Sequence, residues 1–285
     1  MLVLTFSWGL SGVATKLSYP SFDPILLAFL RATLAAAIVV LWCQWRGIAL
    51  FRRDGTLVAG IVVGLLFGIE FVLIFIGLEY TTVARSALLV NTMPFWVLVG
   101  AHFLLGERMT VGKVLGLLLA FAGVALVFSD RLSLPSADAL FGDVLSLGAG
   151  LAWGATTLVI RRSNLTSVAP EKLLLYQLVV SAALMLAILP FTQGELREVS
   201  AVGIGALLFQ SVYVVAMTYL AWFWLVGRYP AAALSSFAFL TPAFGVLMGG
   251  LLLDEPLSPR LFVALAMIAV GLVIVNRPRR LPRAG

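Results

Sequence analysis

Apolar residues gather along this chain in ten runs, separated by short breaks rich in charge, Pro and Gly. Most runs are roughly 18–22 residues long and show no strict alternation. That length fits a helix crossing a ~30 Å hydrocarbon core, and it is too long for a barrel strand of about ten residues. The breaks predict helices over Met1–Leu17, Ile25–Trp45, Leu57–Leu78, Val83–Leu105, Val111–Phe128, Phe141–Ile160, Glu171–Leu189, Val202–Val226, Ala231–Leu252 and Arg260–Val275. The longest polar connection is Ser129–Asp138. The expected fold is an all-α integral membrane protein of ten transmembrane helices.

Composition turns this pattern into a membrane assignment. Of 285 residues, 62% are hydrophobic and 11% charged, and the mean hydropathy is +1.09. Soluble domains carry about 25% charged residues. In a bilayer every backbone polar group needs a partner inside the chain, which leaves helices as the spans. The chain opens inside an apolar run, Met1-Leu2-Val3-Leu4, so the expectation is that the native first helix is longer. No charged segment precedes that run, which argues against a cleavable signal peptide. The single cysteine, Cys43, has no intrachain partner and is read as packing.

The net charge of +6 is a matter of placement. Thirteen Lys and Arg fall on the side that holds the chain ends: Arg46, Arg52, Arg53, Arg108, Lys113, Arg161, Arg162, Lys172, Arg228, Arg277, Arg279, Arg280 and Arg283. Five fall on the other: Lys16, Arg85, Arg131, Arg197 and Arg260. Positive charge stays cytoplasmic, so both termini are expected in the cytoplasm. Scattered short basic loops do not make a nucleic-acid surface. The partners expected are the lipid bilayer and a small-molecule substrate, and nothing sets an oligomeric state.

A shift of 148 positions lays helices three to five on helices eight to ten without gaps. Phe75 meets Phe223, Ala84 meets Ala232, Pro94 meets Pro242, Glu107 meets Glu255, and Gly123 meets Gly271. Trp8-Gly9 falls on Trp153-Gly154 at a slightly smaller shift. Two five-helix repeats result, residues 1–129 and 141–276. An odd number of spans inserts the second copy upside down, and inverted repeats commonly build a site at the bilayer midplane.

Trp8-Gly9, Leu30-Arg31-Ala32, the Pro94 and Pro242 helices, and the paired corners Leu105–Arg108 and Leu253–Pro256 together resemble the EamA family of the drug/metabolite transporter superfamily. The resemblance covers essentially the whole chain. It implies a permease of the bacterial inner membrane, often an exporter of amino acids or related metabolites. It also implies a cavity lined mainly by helices one, three, four, six, eight and nine.

Candidate chemistry is sparse. Glu70 is the one carboxylate deep in a span, where a charge costs at least ~2.5–3.5 kcal/mol. It can meet a substrate ammonium or couple protons, or it can pair with Arg31 to fix helix two on helix three. Asn91 and Pro94 share the middle of helix four. Pro94 and Pro242 each remove a helical hydrogen bond, which suits a gating role or a static kink. Gln210, Tyr213 and Met217 follow at steps of three and four, one helical face suited to an amphipathic solute or to packing. Trp8 and Trp153 can flank the pathway or anchor at the interface. Glycines at 60, 64 and 68, and at 245 and 249, have the spacing of close helix packing. Glu107 and Glu255 are expected to cap the helices that follow them.

His102 is the only histidine and has no second ligand near it in sequence, so no metal site is expected. No phosphate-binding Gly-rich loop and no catalytic constellation is present, so neither an ATPase engine nor an enzyme is expected, and no cofactor. The expectation is a secondary transporter of small metabolites, amino acids foremost, working by alternating access. Trp8, Glu70, Asn91, Trp153, Gln210 and Tyr213 are its expected substrate contacts. A multidrug or quaternary-cation exporter is the alternative within transport, and a non-transporting or lipid-handling membrane protein the alternative outside it.

Overall fold

The structure is a computed structural model that describes residues 1–50, 53–129, 137–192, 197–253 and 258–277. Its regular elements are all helical. In chain order they are α1 (Leu2–Ser18), α2 (Pro24–Arg46), α3 (Leu57–Tyr80), α4 (Val83–Val90), α5 (Met93–Leu105), α6 (Val111–Phe128) and α7 (Ala137–Arg162), then α8 (Pro170–Ile188), α9 (Ala201–Leu208), α10 (Tyr219–Val226), α11 (Ala231–Ser236), α12 (Leu240–Leu253) and α13 (Arg260–Asn276). Among the described residues, eight helical segments are long and apolar enough to cross a membrane. α1 and α13 have 17 residues each.

Local chemistry sets the ends. The Asp23 carboxylate accepts from the Ile25 N–H at the start of α2, Pro24 fills the first turn, and Gly47 closes the helix at φ +65°. Thr82, Thr110 and Ser200 cap α4, α6 and α9 in the same way.

Three predicted spans are interrupted. The fourth breaks at Asn91–Thr92, between α4 and α5, with Pro94 in the first turn of the new helix. The ninth holds a 3₁₀ turn at Phe237–Phe239, just before Pro242. The eighth contains a ten-residue π-helix, Phe209–Thr218, between α9 and α10. Its i→i+5 pattern changes which residues share a face. The expected common face of Gln210, Tyr213 and Met217 is therefore lost: Gln210 is fully buried, whereas Met217 is 59% exposed.

Solvation is inverted relative to a soluble protein. Val58, Phe103, Val111 and Phe262 lie on the outside, while Thr5, Ser7, Gln177 and Ser235 are buried. An apolar exterior of this extent belongs in lipid. Glycines let the helices meet. A Cβ at position 60, 64 or 68 of α3 would strike Tyr176, Val180 or Leu184 of α8 at 2.4, 2.5 and 2.7 Å. α1 meets α12 at Gly9, α6 lies along α13, and α3 packs on both α7 and α8.

Polar corners fasten the two ends of the bundle. At one end, Arg85 and Thr81 both bond to Asp143, and Arg197 donates to the Tyr19 carbonyl at 2.9 Å. At the other, Lys172 pairs with Asp54 at 2.8 Å, and Thr56 joins Asp54 to the Tyr176 hydroxyl. Glu107 departs from expectation. Thr110 already caps α6, so the Glu107 carboxylate crosses to the start of α11, accepting from the Ala231 N–H at 2.8 Å. There Pro230 supplies no side-chain acceptor. Glu255 lies outside the described residues.

The hydrogen bond from Lys172 holds the Asp54 carboxyl down at about 2, below its ordinary 3.8. A depressed carboxylate stabilises the fold at pH values above its unfolded value, and the contribution disappears as pH falls through the folded one. Asp54→Asn is therefore expected to lower the thermal midpoint in detergent equally at pH 7 and pH 5. The gap should narrow only below about pH 4. A gap already closed at pH 5 would contradict this account.

Candidate functional site

The centre of the bundle holds a cavity of about 140 Å³. α1 contributes Trp8, α3 contributes Phe67 and Glu70, and α7 contributes Trp153, Thr156 and Thr157. α8 adds Gln177, α10 adds Tyr219, Trp222 and Phe223, and α12 adds Thr241. Most of the wall is aromatic. Trp8 meets Tyr219 and Trp222 edge to face at 6.1 and 5.5 Å, and Phe67 meets Tyr219 at 6.2 Å. Such edge contacts hold the rings in fixed orientations. The Trp8 indole N–H donates to Thr218 Oγ1 at 2.9 Å, which ties α1 to the end of the π-helix.

Three polar atoms in this wall are buried with no hydrogen-bond partner among the described residues: Glu70 Oε2, Gln177 Nε2 and Thr241 Oγ1. Buried polar groups are paired in the great majority of cases. Three unpaired ones border this one cavity. Glu70 is 7% exposed. The expected brace with Arg31 does not form as an ion pair. The Arg31 guanidinium lies over the Phe71 ring, 5.0 Å from its centre. It borders a separate small pocket that shares Phe67 with this wall and also holds Phe71 and Ser181.

Of the six expected contacts, the structure brings Trp8, Glu70 and Trp153 together. Asn91, Gln210 and Tyr213 lie outside the cavity wall. Asn91 turns back on its own helix, with Nδ2 donating to the Ala87 carbonyl at 2.8 Å and Oδ1 left without a partner. Gln210 accepts from the Thr15 hydroxyl at 2.9 Å and donates to Ser18, and the Tyr213 hydroxyl meets Ser7 at 2.9 Å. Both pin the π-helix to α1. Pro94 and Pro242 lie at helix interruptions, and Pro242 directly follows the cavity residue Thr241.

Sequence reasoning did not find Gln177 or Tyr219. Gln177 carries the signal that exposed Glu70, a polar side chain in mid-span. Tyr219 opens α10 directly after the π-helix, whose place the sequence does not mark. No group of His, Cys, Asp and Glu able to hold a metal occurs among the described residues.

The fold is that of a multi-pass helical membrane protein with a largely aromatic cavity at its centre. The chain belongs to the EamA-like transporter family, whose profile matches residues 1–129 and 140–277. It is a transporter of small molecules and not an enzyme. Similar proteins include an "Uncharacterized transporter YoaV" of Bacillus subtilis, 25% identical over 95% of this chain and 94% of that one. A "Probable amino-acid metabolite efflux pump" of Escherichia coli is 26% identical over 96% of this chain and 92% of its own. One crystal structure, at 20% identity, shares the fold with a TM-score of 0.85 over 96% of this chain and 95% of the other.

Proposed function

We propose that the protein is a secondary carrier of ten spans, two inverted repeats of five (residues 1–129 and 141–276), that exports amino acids or related small amines by alternating access. The observation that carries this reading is Glu70 Oε2, buried and unpaired in an aromatic-walled cavity. A carboxylate ringed by indole and phenol faces suits an ammonium group. The name of the E. coli relative agrees with amino-acid cargo.

The helix pairings support the repeat. Exchanging the halves maps the α6–α13 and α2–α8 contacts onto themselves. It also maps α3–α7 onto α1 with the eighth span, and α5–α7 onto α1–α12. The halves would rock about the cavity, with the Arg85–Asp143 corner and the Glu107–Ala231 corner parting in turn, and with Pro94 and Pro242 marking where the helices bend. The excess of Lys and Arg on the side of the chain ends supports cytoplasmic termini in a bacterial inner membrane. The aromatic walls also favour a second reading, export of bulkier quaternary cations.

The test is uptake into proteoliposomes, with amino acids and organic cations on the panel and a pH gradient present or absent. A carrier shows saturable uptake that is accelerated by the same solute on the opposite face. Folded protein that yields no saturable flux for any solute, under any gradient, would rule the carrier reading out.

A further inference from the structure

Within the carrier reading, on which this inference rests, the cavity wall carries information about the rest of the cargo beyond its amine. Glu70 is its one acidic side chain, and no cationic side chain stands among the described lining residues. A zwitterionic amino acid would bring its carboxylate into this space with no positive partner and with Glu70 nearby. Burying an unpaired charge beside a like charge is strongly unfavourable. Arg31 is not among the residues of this wall: it lines the neighbouring pocket with Phe67, and its guanidinium lies over the Phe71 ring.

The two other unpaired groups are neutral, the Gln177 amide and the Thr241 hydroxyl. The unpaired atom of Gln177 is the donor Nε2, and the Thr241 hydroxyl can donate as well. A neutral carbonyl accepts from both without bringing a second negative charge beside Glu70. Size adds a limit. A cavity of 140 Å³ compares with one of about 150 Å³ that accommodates a benzene molecule.

We infer that the preferred cargo is a small primary amine bearing a neutral amide or carbonyl in place of a free carboxylate: an amino-acid amide or a similar derivative. The ammonium pairs with Glu70, the amide meets Gln177 and Thr241, and a compact apolar side chain lies against the Trp8, Trp153 and Tyr219 rings.

The experiment compares three probes on the purified, folded protein in detergent, by calorimetry and by competition for transport in proteoliposomes. They are valine, its isostere valinamide, and isobutylamine, which keeps the amine and lacks the carbonyl. Valinamide is expected to bind at least tenfold more tightly than valine, with isobutylamine between them. Gln177→Leu is expected to bring valinamide down to the level of isobutylamine. Valine binding as tightly as valinamide, or valine binding that is lost in Arg31→Gln, would overturn the inference and leave the carrier reading standing. Binding of none of the three, while another solute of the wider panel is carried, would overturn the inference alone; no saturable flux for any solute of that panel would overturn both.

Discussion

Glu70→Gln is expected to abolish most transport while leaving the protein as well folded as before. The substitution keeps size and shape and removes the charge. A hydrogen bond to a charged partner contributes about 1.5–3 kcal/mol, so kcat/KM for an amine cargo should fall about 10- to 100-fold. Stability should move the other way or not at all. Glu70 Oε2 has no partner to lose, and a neutral amide is cheaper to bury than a carboxylate. The two measurements are uptake by proteoliposomes and the unfolding midpoint in mixed micelles. A midpoint that drops sharply while uptake per folded molecule stays constant would make Glu70 a structural residue. That is the role left open by the sequence.

The same comparison shows which parts of the site were legible. Glu70, Trp8 and Trp153 stand out because a carboxylate is costly in a span and because the two indoles occupy matching places in the two halves of the chain. Those signals depend on residue type and position, which folding does not alter. Gln210 and Tyr213 were chosen by spacing instead, on the assumption of a regular α-helix. The π-helix at Phe209–Thr218 turns them toward α1, where Thr15, Ser18 and Ser7 engage them. No propensity rule marks where a π-helix begins, so this failure could not be corrected from composition. Glu107 was assigned by proximity in the chain. Its true partner is the start of α11, 124 residues away, a contact set by packing. The helices themselves were legible to within a few residues, and eight helical segments among the described residues are long and apolar enough to cross a membrane, because lipid enforces a long apolar run at each crossing. The interruptions in the fourth and ninth spans were signalled in part by Pro94 and Pro242.

The largest effect on folding is expected from the α3–α8 seam. Gly60 faces the Tyr176 ring so closely that a Cβ would lie 2.4 Å from Cγ. Cγ is the ring atom nearest the backbone, so a rotation about the side chain does little to clear it. The far end of Tyr176 is also held, because its hydroxyl meets Thr56 at 3.1 Å and Lys172 lies over the ring. Neither side can yield without parting the helices, and the next two contacts, at Gly64 and Gly68, would part with them. In a bilayer such close van der Waals packing is a main source of helix association, since lipid tails are as apolar as Leu. Gly60→Leu is thus expected to cost at least the upper part of the roughly 1–3 kcal/mol typical of overpacking. It should show as a clear fall in the unfolding midpoint and in the yield of folded protein. Gly12 in α1 has open space where a Cβ would stand, so Gly12→Ala should leave the midpoint unchanged or raise it by a few tenths of a kcal/mol. Equal loss from both substitutions would mean that any helical glycine matters and that the seam is not special. Loss from Gly60→Leu alone would locate the constraint at the contact with Tyr176, the residue that also ties α8 to the Asp54 corner through Thr56.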